Sequence, residues 1–223
     1  MTRPQQEYHP VQERAEATKN RILDQALELF SHKGYHGTNT KEIAAAAGLA
    51  TGSFYRYFRD KKSVFLAVCS RMETGMQDNI FGYGRTLRAR GLSQRDILEA
   101  VVNQAVQAHQ QHRRFHLEIQ AMQARDPEVA VLVRERQTRI RQRLLEFLRP
   151  IQPELRVTDL PTAVELIHLA VEEVAFQTVI MESPTDNQAL RSELIEMLAR
   201  YLLKNPERLL PESRQQQTNT SCT

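Results

Sequence analysis

The sequence predicts an all-α protein of about nine helices, and the distribution of helix-breaking residues is the main reason. All eight glycines lie at or before Gly91, so the last 132 of the 223 residues contain none. No proline occurs between Pro10 and Pro127, and the later prolines separate segments in which apolar residues recur at helical spacing. No segment alternates strongly between apolar and polar residues, as a half-buried strand does.

The first two helices have clear start and stop signals. The first is predicted over residues 13–33, where apolar side chains recur at three- and four-residue steps and Gly34 ends the helix. Asn39 and Glu42 have the spacing of a capping box, in which each side chain binds the backbone N–H of the other residue. The second helix is therefore predicted over residues 40–47.

A tight turn and a short third helix are predicted next. Gly48 ends the second helix because glycine adopts a positive φ that other residues resist. The third helix is predicted over residues 51–58, where Phe54 and Phe58 lie one turn apart and anchor it. Asp60 is the predicted N-cap of a long fourth helix.

Five further helices are predicted in the rest of the chain. They are expected to occupy roughly residues 93–109, 113–125, 127–149, 161–182 and 187–204. The final segment is polar, without apolar periodicity, and is predicted to be disordered. The chain is thereby divided into an N-terminal helix-turn-helix domain of residues 1–62, a helical domain of residues 63–209 and a tail of residues 210–223.

The positive charge of the chain is concentrated near its N-terminus. The net charge is +3. Residues 1–62 contain ten Lys and Arg against seven Asp and Glu, whereas the remainder carries 20 of each sign. A basic face on one domain beside a neutral second domain favours contact with a polyanion.

Several classes of protein are excluded by what the sequence lacks. No run of about 18 apolar residues is present, so no membrane span is expected, and the start of the chain has no apolar leader. Cys69 and Cys222 are the only cysteines, which predicts a cytoplasmic location without a disulfide framework. Nucleophile-and-base arrangements and phosphate-binding glycine loops are missing, so the chain is predicted not to be an enzyme and no cofactor is expected.

Three histidines have a spacing that suits a metal site. His109, His112 and His116 lie three and four residues apart, as zinc ligands on one helix face would. However, the segment around His112 is predicted to be a loop between helices, and Arg113 and Arg114 would place two cations beside the metal. We therefore predict no metal site here.

The segment from residue 48 to residue 61 indicates a function. It is a tight turn followed by a short helix whose side opposite Phe54 and Phe58 bears hydroxyls, aromatic rings and a base. In a helix-turn-helix, the second helix lies in the DNA major groove with its N-terminal residues facing the bases. Short hydroxyls reach phosphates or bases, glycine permits close approach, and basic groups bind phosphates or guanine. The predicted DNA-binding residues are Thr40, Lys41, Thr51, Gly52, Ser53, Tyr55, Arg56, Tyr57 and Lys61.

The same region resembles the TetR/AcrR family of bacterial transcriptional regulators. The resemblance covers about one fifth of the chain and rests on residues 26–30, 34–35, 38–44, 47–49 and 52–61. Asn39 stands where the family often has a threonine, and asparagine caps a helix equally well. The resemblance implies that the positions named above contact DNA.

The resemblance also implies a dimer and a ligand pocket in the second domain. Residues 163–176 are apolar almost all round, and Leu190, Leu194, Leu198 and Leu202 repeat every four residues. These two helices are expected to pair with a second copy as a four-helix bundle; the interior of a monomer is the alternative. The residues expected to line the pocket are Phe115, His116, Ile119, Met122, Phe147, Phe176, Gln177 and Met181.

These features together predict a ligand-responsive transcriptional regulator, most simply a repressor. It is expected to bind double-stranded DNA at a palindromic operator as a homodimer, and an apolar or amphipathic small molecule is expected to release it. The alternative is an architectural or division-linked DNA-binding factor of the same fold without a metabolite ligand. A single palindromic site would favour the repressor, and many dispersed sites would favour the alternative.

Overall fold

The structure, a computed structural model, describes residues 10–181 and 187–207. Within these ranges the chain forms nine α-helices and no β-strand, which confirms the predicted all-α class. The helices are α1 (Pro10–Lys33), α2 (Thr40–Ala46), α3 (Thr51–Phe54), α4 (Lys61–Ala89), α5 (Gln94–Gln111), α6 (Arg113–Gln123), α7 (Pro127–Leu148), α8 (Leu160–Ala175) and α9 (Asn187–Leu202). A 3-10 helix (Arg149–Glu154) follows α7, and a π-helical turn (Phe176–Ile180) follows α8.

Over the same described ranges, no helix combines the length and the apolar character that a membrane crossing requires.

The third helix is shorter than the sequence predicts. The α-helix ends at Phe54 instead of Phe58. Beyond it the backbone tightens into turns, in which the Arg56 amide donates to the Ser53 carbonyl at 3.3 Å and the Tyr57 amide donates to the Phe54 carbonyl at 2.9 Å. The predicted anchoring is nevertheless correct, because Phe54 and Phe58 are both buried.

The end of the eighth helix also differs from the prediction. The segment predicted as one helix over residues 161–182 changes at Ala175 from α-helix to a π-helical turn. Within the turn, the Thr178 hydroxyl donates to the Val174 carbonyl at 2.8 Å, and the Arg113 Nε donates to the Val179 carbonyl at 2.7 Å. These side-chain bonds satisfy backbone carbonyls at a point where the regular helical ladder changes.

The chain divides into two compact units. Of the described residues, the first unit contains 10–72 and 114–132, and the second contains 73–113, 133–181 and 187–207. Helices α4 and α7 contribute to both units, and α6 belongs to the first apart from its opening residue. The domain boundaries at residues 62 and 209 remain predictions, and the tail predicted to be disordered lies outside the described residues.

Aromatic rings from three helices form the centre of the first unit. Phe30 of α1 and Phe65 of α4 meet edge to face with ring centroids 5.3 Å apart. Phe115 of α6 lies 5.4 Å from the Phe65 ring and 6.4 Å from the Phe30 ring. All three side chains are fully buried. These contacts attach α6 to the N-terminal helices although it is distant from them in sequence.

The loop between α1 and α2 is fixed at both ends. Gly34 ends α1 with a φ of 73°, and the next amide, of Tyr35, donates to Glu118 Oε2 at 2.8 Å. At the start of α2, Asn39 Oδ1 accepts from the Glu42 amide at 3.0 Å, and Glu42 Oε2 accepts from the Asn39 amide at 3.4 Å. The predicted capping box is therefore confirmed.

The turn between α2 and α3 depends on one glycine. Gly48 has a φ of 69°, and its amide donates to the Ala45 carbonyl at 3.0 Å. The Leu49 amide closes the turn by donating to the Ala44 carbonyl at 2.9 Å. A residue with a Cβ atom is strained at this φ, so the predicted role of Gly48 holds.

The second unit encloses its own apolar core between α5, α8, α9 and parts of α4 and α7. In α9, Leu194, Leu198 and Leu202 are buried in this core, and Leu190 is half-buried. The four-residue leucine repeat that we expected to face a second copy therefore faces the interior of its own unit. A helix with one apolar stripe buries that stripe in its own domain first.

Replacing Phe115 by alanine should lower the free energy of unfolding by about 3–5 kcal/mol, because the change leaves a cavity between two buried rings. Urea denaturation followed by circular dichroism would measure the loss. Leu117→Ala, on the same helix but exposed, should change stability by less than about 1 kcal/mol. Equal losses in the two variants would contradict the placement of Phe115 in this core.

Candidate functional site

The start of α2 and the end of α3 form an exposed face in the first unit. The Thr40 Oγ1 and Tyr55 Oη atoms lie 3.1 Å apart, so that the two hydroxyls are hydrogen bonded. Tyr55 is 52% exposed, although its ring meets the buried Phe54 ring edge to face at 5.4 Å. The pair thus holds an exposed tyrosine hydroxyl beside the N-terminus of α2, where backbone N–H groups favour an anion.

The short α3 and the turn after it present the other predicted DNA-binding residues. Thr51, Ser53 and Tyr57 are half-buried, whereas Gly52 and Arg56 are exposed. A Cβ atom added to Gly52 would meet no other atom of the described residues within 4 Å. The packing of the protein itself therefore does not require a glycine at this position, which is consistent with a surface that another molecule approaches closely.

Most of the other basic side chains near this face already have acidic partners. Lys33 lies 3.2 Å from Glu42, and Arg59 lies 3.0 Å from Asp60. Lys62 binds two carboxylates of the first unit, at distances of 2.8 and 3.1 Å. By contrast, Lys41 and Arg56 are exposed and form no salt bridge within the part of the chain that the structure describes. They are the cations of the predicted set that remain open to a polyanion.

Lys61 has a structural contact that the sequence did not reveal. Its Nζ donates to the Tyr35 carbonyl at 2.6 Å and to the Thr38 carbonyl at 2.7 Å, and it lies 4.3 Å from the centroid of the Tyr35 ring. Burial lowers the pKa of this lysine. Because an ammonium group has three N–H donors, one remains for the phosphate contact that the sequence predicts.

The second unit contains a cavity of about 130 Å³ between α4, α5, α7 and α8. Its lining is mostly aliphatic and aromatic, which is typical of a site for a small apolar molecule. The polar residues that line it are Glu73, Gln77, Arg88, Gln94, His109, Arg136, His168 and Glu172.

The carboxylate of Glu172 is held by basic groups at this cavity. Glu172 oxygens lie 3.6 Å from His109 Nε2 and 3.6 Å from Arg136. Burial would raise the pKa of Glu172, but the adjacent His109 ring and the charge of Arg136 outweigh it and hold the pKa well below its usual value. Burial lowers the pKa of the neighbouring His168, which lies one helical turn before Glu172.

The structure does not bring the predicted ligand-binding residues together. Only Phe147 lines the cavity. Phe176 packs against a small apolar cluster, Gln177 donates to Glu173 at 2.8 Å, and Met181 is exposed. The remaining four lie buried on α6 in the first unit: Phe115, His116, Ile119 and Met122.

The sequence carried one signal for the cavity residues that we did not predict. His168 and Glu172 are polar residues one turn apart in a segment that is otherwise almost entirely apolar. Polar side chains in such a helix need buried partners, which marks them as candidates for a site. No comparable pattern in the sequence marks Arg88 or Gln94 as a cavity residue. Among the residues described, no group of three or more His, Cys, Asp or Glu side chains is arranged to hold a metal ion.

Two family models match the chain. Residues 22–68 match the model for bacterial regulatory proteins of the tetR family, and residues 94–202 match the model for tetracyclin repressor-like C-terminal domains. This chain belongs to the TetR family. Since the TetR family consists of regulatory proteins, the chain is not an enzyme.

Individual TetR-family relatives are similar over part of the chain. The transcriptional repressor KstR2 of Rhodococcus jostii is 36% identical over 90 residues, which are 40% of this chain and 42% of that protein. The transcriptional regulator AcrR of Shigella flexneri is 35% identical over 106 residues, which are 47% of this chain and 48% of that protein. The matches thus span about half the length of these relatives or less.

The fold of most of this chain is similar to that of a solved structure. A crystal structure from Mesorhizobium loti, assigned to a TetR-family transcriptional regulator, superposes with a TM-score of 0.71 at 18% sequence identity. The superposition covers 85% of this chain and 98% of the other.

Substituting Lys61 should affect stability, whereas substituting Lys41 should not. Lys61→Ala removes two hydrogen bonds from a charged donor and should lower the free energy of unfolding by about 1–3 kcal/mol. Lys41→Ala, at an exposed lysine, should change it by less than about 0.5 kcal/mol. Chemical denaturation of both variants would measure the difference.

The same two variants test the phosphate contacts. In folded protein, each substitution should flatten the dependence of log affinity for DNA on log salt concentration by about one unit. An unchanged salt dependence in the Lys61 variant would contradict the predicted contact of Lys61 with phosphate. An unchanged salt dependence in the Lys41 variant would likewise contradict the contact of Lys41 with phosphate.

Proposed function

We propose that this TetR-family protein is a transcriptional repressor that binds a palindromic DNA operator as a homodimer and is released by a small apolar or amphipathic molecule. The observation that carries the proposal is the exposed face at the start of α2 and the end of α3. There, the hydrogen-bonded hydroxyls of Thr40 and Tyr55 accompany Lys41 and Arg56, two exposed cations that form no salt bridge with any described residue. The proposal includes a cytoplasmic location, where a bacterial chromosome is accessible.

The proposed DNA contacts divide into two kinds. Thr40, Lys41 and Tyr55 bind phosphates, because two hydroxyls and an ammonium beside a helix N-terminus suit an anion. On α3 and the turn after it, the short hydroxyls and the Arg56 guanidinium meet the edges of bases. The remaining proposed contacts, from Gly52, Tyr57 and Lys61, position the backbone of the duplex.

The length of α3 supports the proposal of a dimer. A helix of four residues presents few side chains to the major groove, so one copy reads only a short sequence. Two copies related by a two-fold axis read two half-sites, about 34 Å apart, and the operator is then palindromic. Specific binding to a chromosome therefore requires the pair.

The proposed dimer contact uses apolar side chains that the second unit leaves exposed. Leu166 and Leu169 of α8 are 51% and 53% exposed, and Met197 and Tyr201 of α9 are 52% and 39% exposed. Neighbouring exposed apolar side chains at helical spacing are typical of an interface. The proposed four-helix contact is thus made by this face, while the leucine repeat of α9 supports it from inside.

The cavity in the second unit favours the ligand-responsive repressor over an architectural factor without a ligand. Its lining is largely apolar, and it lies in a unit separate from the DNA-binding face. The relative KstR2 bears the name of a transcriptional repressor, which supports repression as the regulatory mode. In the proposed mechanism, the ligand binds more tightly to a conformation of the dimer that does not fit the operator.

Removing the Tyr55 hydroxyl should weaken DNA binding about tenfold or more, because a hydrogen bond to a charged phosphate is lost. We would select a duplex from a random-sequence pool and measure its affinity for wild type and Tyr55→Phe by fluorescence anisotropy. Tyr83→Phe is the matched control, since Tyr83 is similarly exposed but lies in the second unit. Failure to enrich any duplex, or equal affinities for all three proteins, would contradict the proposal.

The proposed interface predicts a change of oligomeric state. Wild-type protein should sediment as a dimer at micromolar concentration, and Leu166→Arg combined with Leu169→Arg should sediment as a monomer, because charges oppose burial of that face. Val131→Arg, at an exposed valine on α7, should remain dimeric. A monomeric wild-type protein, or a double variant that stays dimeric, would count against this interface.

A further inference from the structure

The polar groups of the cavity lie in two places that differ in charge balance. Glu73 and Arg88 both line the cavity from α4. They are 15 residues apart, which corresponds to about 22 Å along a helix. The group near Glu73 and the group near Arg88 are therefore considered separately.

The group near Glu73 is neutralised within the protein. Glu73 lies 3.1 Å from Arg139, and Glu172 lies 3.6 Å from both Arg136 and His109. Each of the two carboxylates thus has a cation of its own. A charged head group placed here would have to compete with contacts that already exist.

Arg88 differs because it has no acidic partner. One of its terminal nitrogens donates to the Phe147 carbonyl at 3.0 Å, and its guanidinium lies 4.5 Å from the centroid of the Phe147 ring. Its Nε is buried without a hydrogen-bond partner, and within the described residues Arg88 forms no salt bridge. Burial lowers the pKa of Arg88, yet an arginine in a protein stays protonated.

Gln94 supplies a second unsatisfied polar atom in the lining. Its side chain is almost fully buried, and its Nε2 donates to a Glu154 carboxylate oxygen. Because an ionised carboxylate only accepts, this bond fixes the orientation of the amide, and the Oε1 atom is left buried without a partner. Gln94 begins α5 and Arg88 lies in the last turn of α4, so a connection of four residues joins their helices.

We propose that the cavity binds an aliphatic carboxylate, with its head group on Arg88 at the α4–α5 corner and its apolar body along the cavity. This inference rests on the proposed function, because it names the chemical class of the molecule that releases the repressor. A half-buried guanidinium with a buried, unsatisfied Nε and no counter-ion among the described residues is energetically unfavourable, and a bound carboxylate supplies the missing negative charge. The Nε and a terminal nitrogen of arginine form a fork that matches the two oxygens of a carboxylate.

The rest of the lining suits the apolar part of such a molecule. Ile97, Leu98 and Val101 of α5 and Leu144 of α7 line the cavity with hydrocarbon side chains. Binding there removes apolar surface of the ligand from water. Because the Gln94 Oε1 atom and a carboxylate both only accept hydrogen bonds, the head group lies against the Arg88 donors and not against this oxygen.

Another arginine of the same unit provides a matched comparison. Arg143 also lies over a phenylalanine ring, 5.6 Å from the centroid of Phe81, but it is paired with Asp78 at 2.7 Å. It does not belong to the residues that line the cavity. Arg143 therefore shares the ring contact of Arg88 without the unbalanced charge.

Calorimetric titration of the full-length protein tests the proposal. The probes are three series with the same alkyl chains of about six to twelve carbons: carboxylates, primary alcohols and primary amines. Carboxylates should bind at least about tenfold more tightly than alcohols of equal length, and amines should bind most weakly. Equal binding of carboxylate and alcohol, or no binding in any series, would overturn the proposal.

Variants then assign the preference to Arg88. Arg88→Gln should bind carboxylate and alcohol equally, Arg88→Lys should keep a preference for carboxylate, and Arg143→Gln should behave as wild type. If Arg88→Gln does not fold, the comparison of wild type with Arg88→Lys and Arg143→Gln still tests the assignment. Loss of the preference for carboxylate in Arg143→Gln would show that the preference does not depend on Arg88 alone and would overturn the assignment. An Arg88→Gln protein that is less stable but still prefers carboxylates would show a purely structural arginine.

DNA binding in the presence of carboxylate separates this inference from the proposed function. If carboxylates bind through Arg88 but leave the affinity for the selected duplex unchanged, the assignment of the ligand class stands and the release mechanism fails. If the protein binds the duplex but does not distinguish carboxylates from alcohols, the assignment of the ligand class fails and DNA binding stands.

Discussion

Burial of aromatic side chains is the constraint on which the proposed DNA-binding face depends. Phe30, Phe65 and Phe115 bring α1, α4 and α6 together, and Phe54 holds the short α3 on the same unit. A helix of four residues has too few internal hydrogen bonds to persist alone, so its conformation is imposed by that anchor and by the glycine turn before it. The exposed Tyr55 hydroxyl is positioned by the contact of its ring with the buried Phe54 ring and by its hydrogen bond with Thr40.

The charged residues that line the cavity of the second unit are of two kinds, which differ in whether the protein itself supplies the opposite charge. Where Glu73 and Glu172 meet arginines, the protein satisfies its own ions and the charges serve packing. Arg88 is half-buried and has no acidic partner among the described residues, so in the proposed complex the ligand supplies the anion. The difference lies in the pairing of the charges, because ionisable groups line the cavity at both places.

The sequence predicted the helices well and the cavity poorly, for different physical reasons. Glycine, proline and capping residues act locally, so Gly34, Asn39 and Gly48 mark helix ends without reference to tertiary structure. An apolar face indicates only that a helix is buried, and it does not identify the core into which the helix packs. The apolar residues of α6 enter the core of the first unit instead of the cavity, and the leucine repeat of α9 faces its own unit. Whether a charged residue such as Arg88 has a partner depends on helices distant in sequence, which no local pattern records.

At Gly52 the requirements of folding and of recognition are independent, because the space around this residue is open. Since a side chain added there would touch no other atom of the described residues within 4 Å, a variety of amino acids is compatible with the fold. In the proposed complex, Gly52 faces the backbone of the duplex, so one substitution at this position would alter the approach to DNA without a compensating change in the core.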